Sequence, residues 1–356
     1  MRLVSTGELA GKEHDHSLHR AALTRRFVTE KDKRLNSITS HRVDDVSRPL
    51  DLEAHLAALQ AQLGRVLLGK AEQIDFVIAC LLARGHLLLD DLPGTGKTTM
   101  AKALASCLGG KLARIQCTPD LLPTDVTGFN LFNQKSREFE FHPGPVFSDV
   151  LLADELNRTT PRTQSALLEA MAERQVTIDA VPHQLSDTFF VIATQNPIDS
   201  QGAYPLPEAQ LDRFAIKLEI GYPDRDAQLQ ILESASQGKH DRNDLEPVLP
   251  LEELTRLQHH TERVTVHPRV REYLVDLVEA TRNDSSIQLG VSPRGMLHWQ
   301  RIAQAWAVVK GRDFVTPSDV THVARPVLSV RLLTTGGDVN SAIENLLNQI
   351  PAPEYR

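Results

Sequence analysis

Leu87-Leu88-Leu89-Asp90-Asp91-Leu92-Pro93-Gly94-Thr95-Gly96-Lys97-Thr98-Thr99 runs from an apolar strand pattern through a glycine-containing loop into a helical pattern that continues to Leu108. That order suits phosphate. Gly94 and Gly96 allow backbone N–H groups to turn inward, and the positive end of a helix follows them. Lys97 is expected to reach the β- and γ-phosphates of a nucleotide, and the Thr98 hydroxyl to bind Mg²⁺. Pro93, Gly94, Thr95, Gly96, Lys97, Thr98 and Thr99 form the expected nucleotide-binding set. The general pattern has glycine where this chain has Asp91, and a carboxylate turned into the loop would repel phosphate. Asp91 is therefore expected to point outward.

Val150-Leu151-Leu152-Ala153-Asp154-Glu155 is a second apolar strand pattern, ending in two carboxylates. Asp154 is expected in the Mg²⁺ shell with Thr98, and Glu155 beside an attacking water. Phe189-Phe190-Val191-Ile192-Ala193-Thr194-Gln195-Asn196-Pro197 delivers the amide of Asn196 at a strand end, where ligands bind in parallel sheets. Arg213 closes the short helical segment Pro207 to Phe214, and a guanidinium suits the charge on a transferring phosphoryl group. Ser292-Pro293-Arg294-Gly295 starts a later helix with a second arginine. Glu155, Asn196, Arg213 and Arg294 are the candidate catalytic residues.

Between His86 and Glu219 five short apolar runs alternate with helical patterns, which predicts a parallel sheet covered on both faces. After Gly221-Tyr222-Pro223 the pattern predicts helices only, starting at Asp224, Leu251, Pro268, Pro293 and Pro317. Two helices precede the first strand, one carrying Leu52, Leu56, Leu59 and Leu63 and one running to Ala83. Residues 1–50 hold ten Lys/Arg and seven Asp/Glu without sustained periodicity, and are expected to be a disordered extension. The expected division is an extension (1–50), an α/β nucleotide-binding core (51–221), an all-helical domain (222–335) and a C-terminal tail or helix (336–356).

A chain of 356 residues with 41% hydrophobic residues can build substantial cores, and its net charge of -7 gives no basic footprint for nucleic acid. The longest apolar stretch, Phe76 to Ala83, falls well short of the roughly 18 residues of a membrane helix. Membrane insertion is not expected. A charged N-terminus lacking an apolar h-region leads to a cytoplasmic expectation. Cys80, Cys107 and Cys117 lack CxxC spacing and read as buried apolar residues.

Taken together, residues 52 to 333 resemble the MoxR family of AAA+ ATPases. The resemblance rests on Ala153 to Arg158, Thr163 to Met171, Glu173 to Thr177, Ala193 to Pro197, Leu206 to Phe214 and Ser292-Pro293-Arg294, in the family order. Asp91 occurs in many members of the family. The resemblance implies a P-loop αβα sandwich followed by a helical lid, assembled as a homo-oligomeric ring of six, with ATP and Mg²⁺ at the subunit interfaces and Arg213 reaching a neighbour's site. It also implies a β-hairpin interrupting the second core helix, matched by Phe129, Leu131, Phe139 and Phe141 around Gln134-Lys135-Ser136-Arg137. The implied activity is ATP hydrolysis to ADP and phosphate, driving chaperone-like remodelling or maturation of a protein client, often with a von Willebrand factor A domain partner. A chelatase-type subunit for metal insertion is the alternative, and a nucleic-acid motor a more distant one.

Overall fold

The computed structural model describes residues 52–92, 94–196, 204–236 and 245–353. The expectation for residues 1–50 lies outside the described residues, as does Pro93. Two helices open the described chain. Helix α1 (Leu52–Gly64) buries Leu56, Leu59 and Leu63, spaced three and four apart as one helix face requires. Helix α2 (Ala71–Leu82) is buried along most of its length, from Ile74 onward.

The core follows as β1 (Leu87–Asp90), α3 (Lys97–Leu108), β2 (Leu112–Gln116), α4 (Pro123–Thr127), the hairpin of β3 (Gly128–Asn133) and β4 (Glu138–Pro143), β5 (Val150–Asp154), α5 (Pro161–Glu173), the hairpin of β6 (Gln175–Ile178) and β7 (Val181–Gln184), β8 (Phe190–Gln195), α6 (Glu208–Leu211) and β9 (Ile216–Leu218). The five strands read as apolar runs form one parallel sheet in the order β2-β5-β8-β1-β9. Leu87, Leu88 and Leu89 of β1 and Val150, Leu151 and Leu152 of β5 are almost wholly buried, as expected for a sheet covered on both faces. Register aligns the C-terminal ends: Gln116 lies opposite Asp154, and Asp90 opposite Gln195. The first hairpin occurs where the resemblance implies it, and the second adds to it.

The lid follows as α7 (Arg225–Ser236), α8 (Leu251–Glu262), β10 (Thr265–Val266), α9 (Pro268–Asn283), β11 (Ile287–Leu289), α10 (Pro293–Val309), β12 (Phe314–Val315), α11 (Pro317–His322), α12 (Ala324–Leu328), β13 (Leu333–Thr334) and α13 (Val339–Gln349). It is helical as expected, with two short strand pairings added, β10 with β12 and β11 with β13. Helices α9, α10 and α11 each begin with proline behind a capping side chain: His267, Ser292 and Thr316. The three cysteines are buried and unpaired, and burial raises the thiol pKa of Cys107 to about 11 and of Cys117 to about 12. No described helix is long and apolar enough to cross a membrane.

His86 fastens the start of β1. Its Nδ1 accepts from the Val191 N–H of β8 at 3.1 Å, so Nε2 carries the proton and donates to the Met171 carbonyl of α5 at 3.2 Å. Burial, with Arg174 adding repulsion, lowers its pKa to about 3 against 6.5 for a free imidazole, although the Met171 carbonyl opposes the shift. Above pH 6.5 the ring is neutral folded or unfolded. Between 6.5 and 3 only the unfolded chain takes up this proton, so stability falls with pH by about 1.4 kcal/mol per unit from this residue. Urea midpoints from pH 7.5 to 4.5 should show this, and His86→Asn should be less stable at pH 7.5 yet titrate with about one proton less in its slope. An unchanged slope would assign the acid loss to other groups.

Candidate nucleotide site

The loop after β1 is shaped by its glycines. Gly94 and Gly96 have φ of 84° and 95°, where a side chain would be strained. Gly96 is the N-cap of α3 and no side chain caps that helix, which leaves its first N–H groups and its positive end directed at the cavity. Lys97 Nζ donates to the carbonyls of Asp91 at 2.7 Å and Leu92 at 3.2 Å, folding the lysine across its own loop. Thr95 Oγ1 bonds the Leu92 carbonyl and is buried.

Asp91 departs from the outward expectation. Its carboxylate is turned away from the loop, but into the protein: it is 5% exposed. One oxygen accepts from the Leu92 N–H, and the other from Ile220 N–H at 2.7 Å and Gly221 N–H at 3.0 Å. Three backbone donors offset the cost of burying this charge. The substitution for glycine thus ties the loop to the segment that leads into the lid.

Beside the loop, Gly94, Gly96, Lys97, Thr98, Thr99, Asp154, Glu155 and Asn196 line a cavity of about 380 Å³, together with Arg114 and Gln116. Thr98 and Asp154 supply hard oxygen donors in one cavity with a phosphate-type loop, a donor set that fits Mg²⁺. Asp154 pairs with Arg114 at 2.8 Å through one oxygen and accepts from Thr194 Oγ1 at 2.8 Å through the other. Glu155 accepts from Arg158 at 2.8 Å and from Gln116 at 2.9 Å. Its backbone is left-handed, with φ 57° and ψ 49°, and its N–H is held by Thr194 Oγ1 at 2.8 Å. A non-glycine residue in that region stores strain, which turns this carboxylate sharply out of the strand line. A second cavity of about 260 Å³ shares Gly94, Gly96 and Thr99 with the first and is walled by Val66, Leu67, Leu68, Ile220 and Ile231.

Arg213 and Arg294 do not line either cavity. Both line a third, of about 440 Å³, with Arg84, Arg174, Arg301 and Glu262 among its walls. Five guanidiniums face one carboxylate there; Glu262 pairs with Arg84 at 3.6 Å. Arg213 is steadied by donating to the Leu168 carbonyl at 2.7 Å. Strand polarity explains the separation. Ala215 N–H bonds the His86 carbonyl at the start of β1, whereas the nucleotide loop begins where β1 ends. The span of β1 alone, at about 3.3 Å per residue, sets roughly 10 Å between those edges.

Thr194, Gln116, Arg114 and Arg158 also belong to this site, and the sequence motifs alone assign them no role. Thr194 and Arg158 stood within the quoted motifs without a role, and both are polar groups at or just beyond a strand end. Gln116 and Arg114 become visible only when β2 is known to pair with β5.

Residues 86–216 match the family described as ATPase family associated with various cellular activities (AAA), and residues 279–346 match the AAA lid domain. The chain is 44% identical over 312 residues to the uncharacterised protein YeaC of Bacillus subtilis, covering 86% of this chain and 97% of that one. It is 40% identical to Chaperone MoxR1 of Mycobacterium tuberculosis over 76% of this chain and 74% of that one, and 34% identical to Protein MoxR of Paracoccus denitrificans over 79% and 89%. A solved structure from Cytophaga hutchinsonii, described as a candidate ATPase, superposes with a TM-score of 0.79 at 33% identity, covering 85% of this chain and 96% of that chain. The parallel five-stranded core, the helical lid and these relatives together show that the chain belongs to the MoxR family of AAA+ ATPases.

Proposed function

We propose that this chain hydrolyses ATP to ADP and phosphate within a head-to-tail ring of its own copies, six in number, and uses the turnover to remodel or mature a protein client. The observation that carries the reading is the division of charged groups: the phosphate loop, Asp154, Glu155 and Asn196 share one cavity, and Arg213 and Arg294 share another at the opposite sheet edge. Each cavity is incomplete as a phosphoryl-transfer site. A heterologous interface joins one copy's arginines to the next copy's loop.

In this reading the triphosphate lies on the amides of the 94–99 segment, and the adenine sits in the apolar cavity beside Leu67 and Ile231. Lys97 leaves its carbonyl partners for the β- and γ-phosphates. Thr98 and Asp154 would hold Mg²⁺, whose charge would offset that of the phosphate oxygens. Glu155 accepts the proton of the attacking water, and Asn196 orients that water. Arg213 and Arg294 of the neighbouring copy stabilise the negative charge that develops on the transferring group. This assigns Arg294, like Arg213, to action in trans.

The client is read from the exposed hairpin of β3 and β4. Phe129, Leu131, Phe132 and Phe139 are 44%, 52%, 49% and 71% exposed, an apolar surface on an element separate from the nucleotide cavity. A protein carrying a von Willebrand factor A domain is the partner that the family resemblance suggests. The relatives named for the MoxR family lend no support to the chelatase-type alternative or to a nucleic-acid motor.

Nucleotide binding and turnover, measured separately, test the assignments. Lys97→Ala should lose ATP binding, whereas Glu155→Gln should bind normally and hydrolyse at least about a hundredfold more slowly. Arg213→Ala and Arg294→Ala should each retain ATP affinity and lose turnover by up to about 10³-fold or more. Loss of binding in either arginine variant would move that residue into the cis site. Replacing Gln134-Lys135-Ser136-Arg137 by Gly-Ser should leave basal ATPase within about twofold and abolish stimulation by a client captured on the Glu155→Gln variant. A collapse of basal ATPase in assembled protein would contradict the separation of the hairpin from catalysis.

A further inference from the structure

Arg331 belongs to no motif of the nucleotide site, yet it is 5% exposed, whereas the other described arginines are exposed or only partly buried. It follows α12 in the lid and reaches back to the core segment that carries Arg213. Its Nε donates to Asp212 at 3.0 Å, and its terminal nitrogens donate to the carbonyls of Phe214, Ala215 and Val327. Asp212 uses its second oxygen to accept from the Ser292 hydroxyl at 2.7 Å, and Ser292 is the N-cap of α10. The link therefore runs from Arg213 to its neighbour Asp212, across the hydrogen bond to Ser292, and on through Pro293 to Arg294. Gly295 leaves room for the clamp: a Cβ there would stand 2.8 Å from both Cδ and Nε of Arg331.

A buried ion pair is a poor source of net stability, because desolvating two charges offsets their attraction, and apolar replacements of similar volume are often neutral. Desolvation lowers the pKa of Arg331 to about 10, while Asp212 opposes that shift; the group remains a cation at neutral pH. A charge kept at such cost between two elements fixes their relative position. Through Asp212 and its bond to Ser292, this cluster touches the segments that carry Arg213 and Arg294, two of the five arginines of the 440 Å³ cavity.

We propose that Arg331 and Asp212 are positioning residues for hydrolysis: they lock the core segment bearing Arg213 to the lid helix bearing Arg294, so that both guanidiniums meet a neighbouring copy's phosphates as one unit. This rests on the reading of Arg213 and Arg294 as trans groups. Neither Arg331 nor Asp212 lines the nucleotide cavity or the apolar cavity beside it. Their loss changes the spacing of the two guanidiniums, and misplacement by an ångström lowers phosphoryl-transfer rates without lowering a cis site's affinity.

Asp212→Asn and the neutral pair Asp212→Asn/Arg331→Met would be compared with Arg213→Ala in full-length assembled protein. The readouts are fluorescent ATP-analogue affinity, melting temperature, kcat and KM. The double variant avoids an unpaired buried cation, so it carries the test if the single variant does not fold. Turnover is expected to fall roughly ten- to hundredfold with nucleotide affinity within about twofold. Adding Arg213→Ala to the double variant should slow it far less than Arg213→Ala slows the wild type, since residues acting as one unit are non-additive. A double variant with wild-type kcat, or one with a lowered melting temperature and normal kcat per assembled ring, overturns the positioning role. A normal rate in Arg213→Ala would instead overturn the trans reading beneath it.

Discussion

Parallel strand polarity governs this molecule. Because β2, β5, β8 and β1 run the same way in register, the residues that follow their ends converge on one edge: Glu155 after β5, Asn196 after β8 and the phosphate loop after β1. The same polarity sends Arg213, which precedes β9, to the other edge. The crossover helices bury both faces of the sheet, so neither set of groups can migrate toward the other without unfolding the core. In the proposed reading, this separation of the phosphate loop from the arginines is the physical basis for a site shared between copies.

The charged groups at the two edges are buried to different degrees. Arg114 and Arg158, the partners of Asp154 and Glu155, are 50% and 44% exposed. Their carboxylate partners are 13% and 26% exposed, so these pairs are less screened than surface pairs but have one mobile, solvated member each. Arg331 with Asp212 is the opposite case, with the Arg331 side chain 2% exposed. Removing one member of such a buried pair costs roughly 3–5 kcal/mol. In the proposed reading, the groups that would exchange partners during turnover are the ones paired with exposed arginines, and the join between core and lid is buried. Asp91 adds a tie within the core, from the phosphate loop to Ile220 and Gly221, just before the chain enters the lid.

Much of this was legible in the sequence because its signals are contiguous. The helix from Lys97 to Leu108, the five apolar strands and the proline-initiated lid helices depend on neighbours within a few residues, and the structure has them at the expected positions. The second hairpin was missed because its turn, Asp179-Ala180, adopts φ of 48° and 65° without the Asn-Gly or Asp-Gly pair that marks such turns. Asp91 was read from charge alone, and the buried amides of Ile220 and Gly221 that receive it lie about 130 residues away along the chain. Thr194, which bonds both Asp154 and the Glu155 N–H, gains its role only from the pairing of β5 with β8. Contacts made by register and tertiary approach have no local signature. The Asp212–Ser292–Arg331 cluster is of the same kind.

The central claim is that one copy's arginines complete the next copy's nucleotide site. Mixing Arg213→Ala subunits with Lys97→Ala subunits tests it directly, with native mass spectrometry to verify that mixed rings form. The first variant keeps an intact phosphate loop and the second keeps an intact arginine, so at mixed interfaces of the right polarity a working site is restored. The account predicts ATPase activity well above the sum of the two parents, rising with the fraction of mixed rings. Mixed rings whose activity stays at that sum would contradict it.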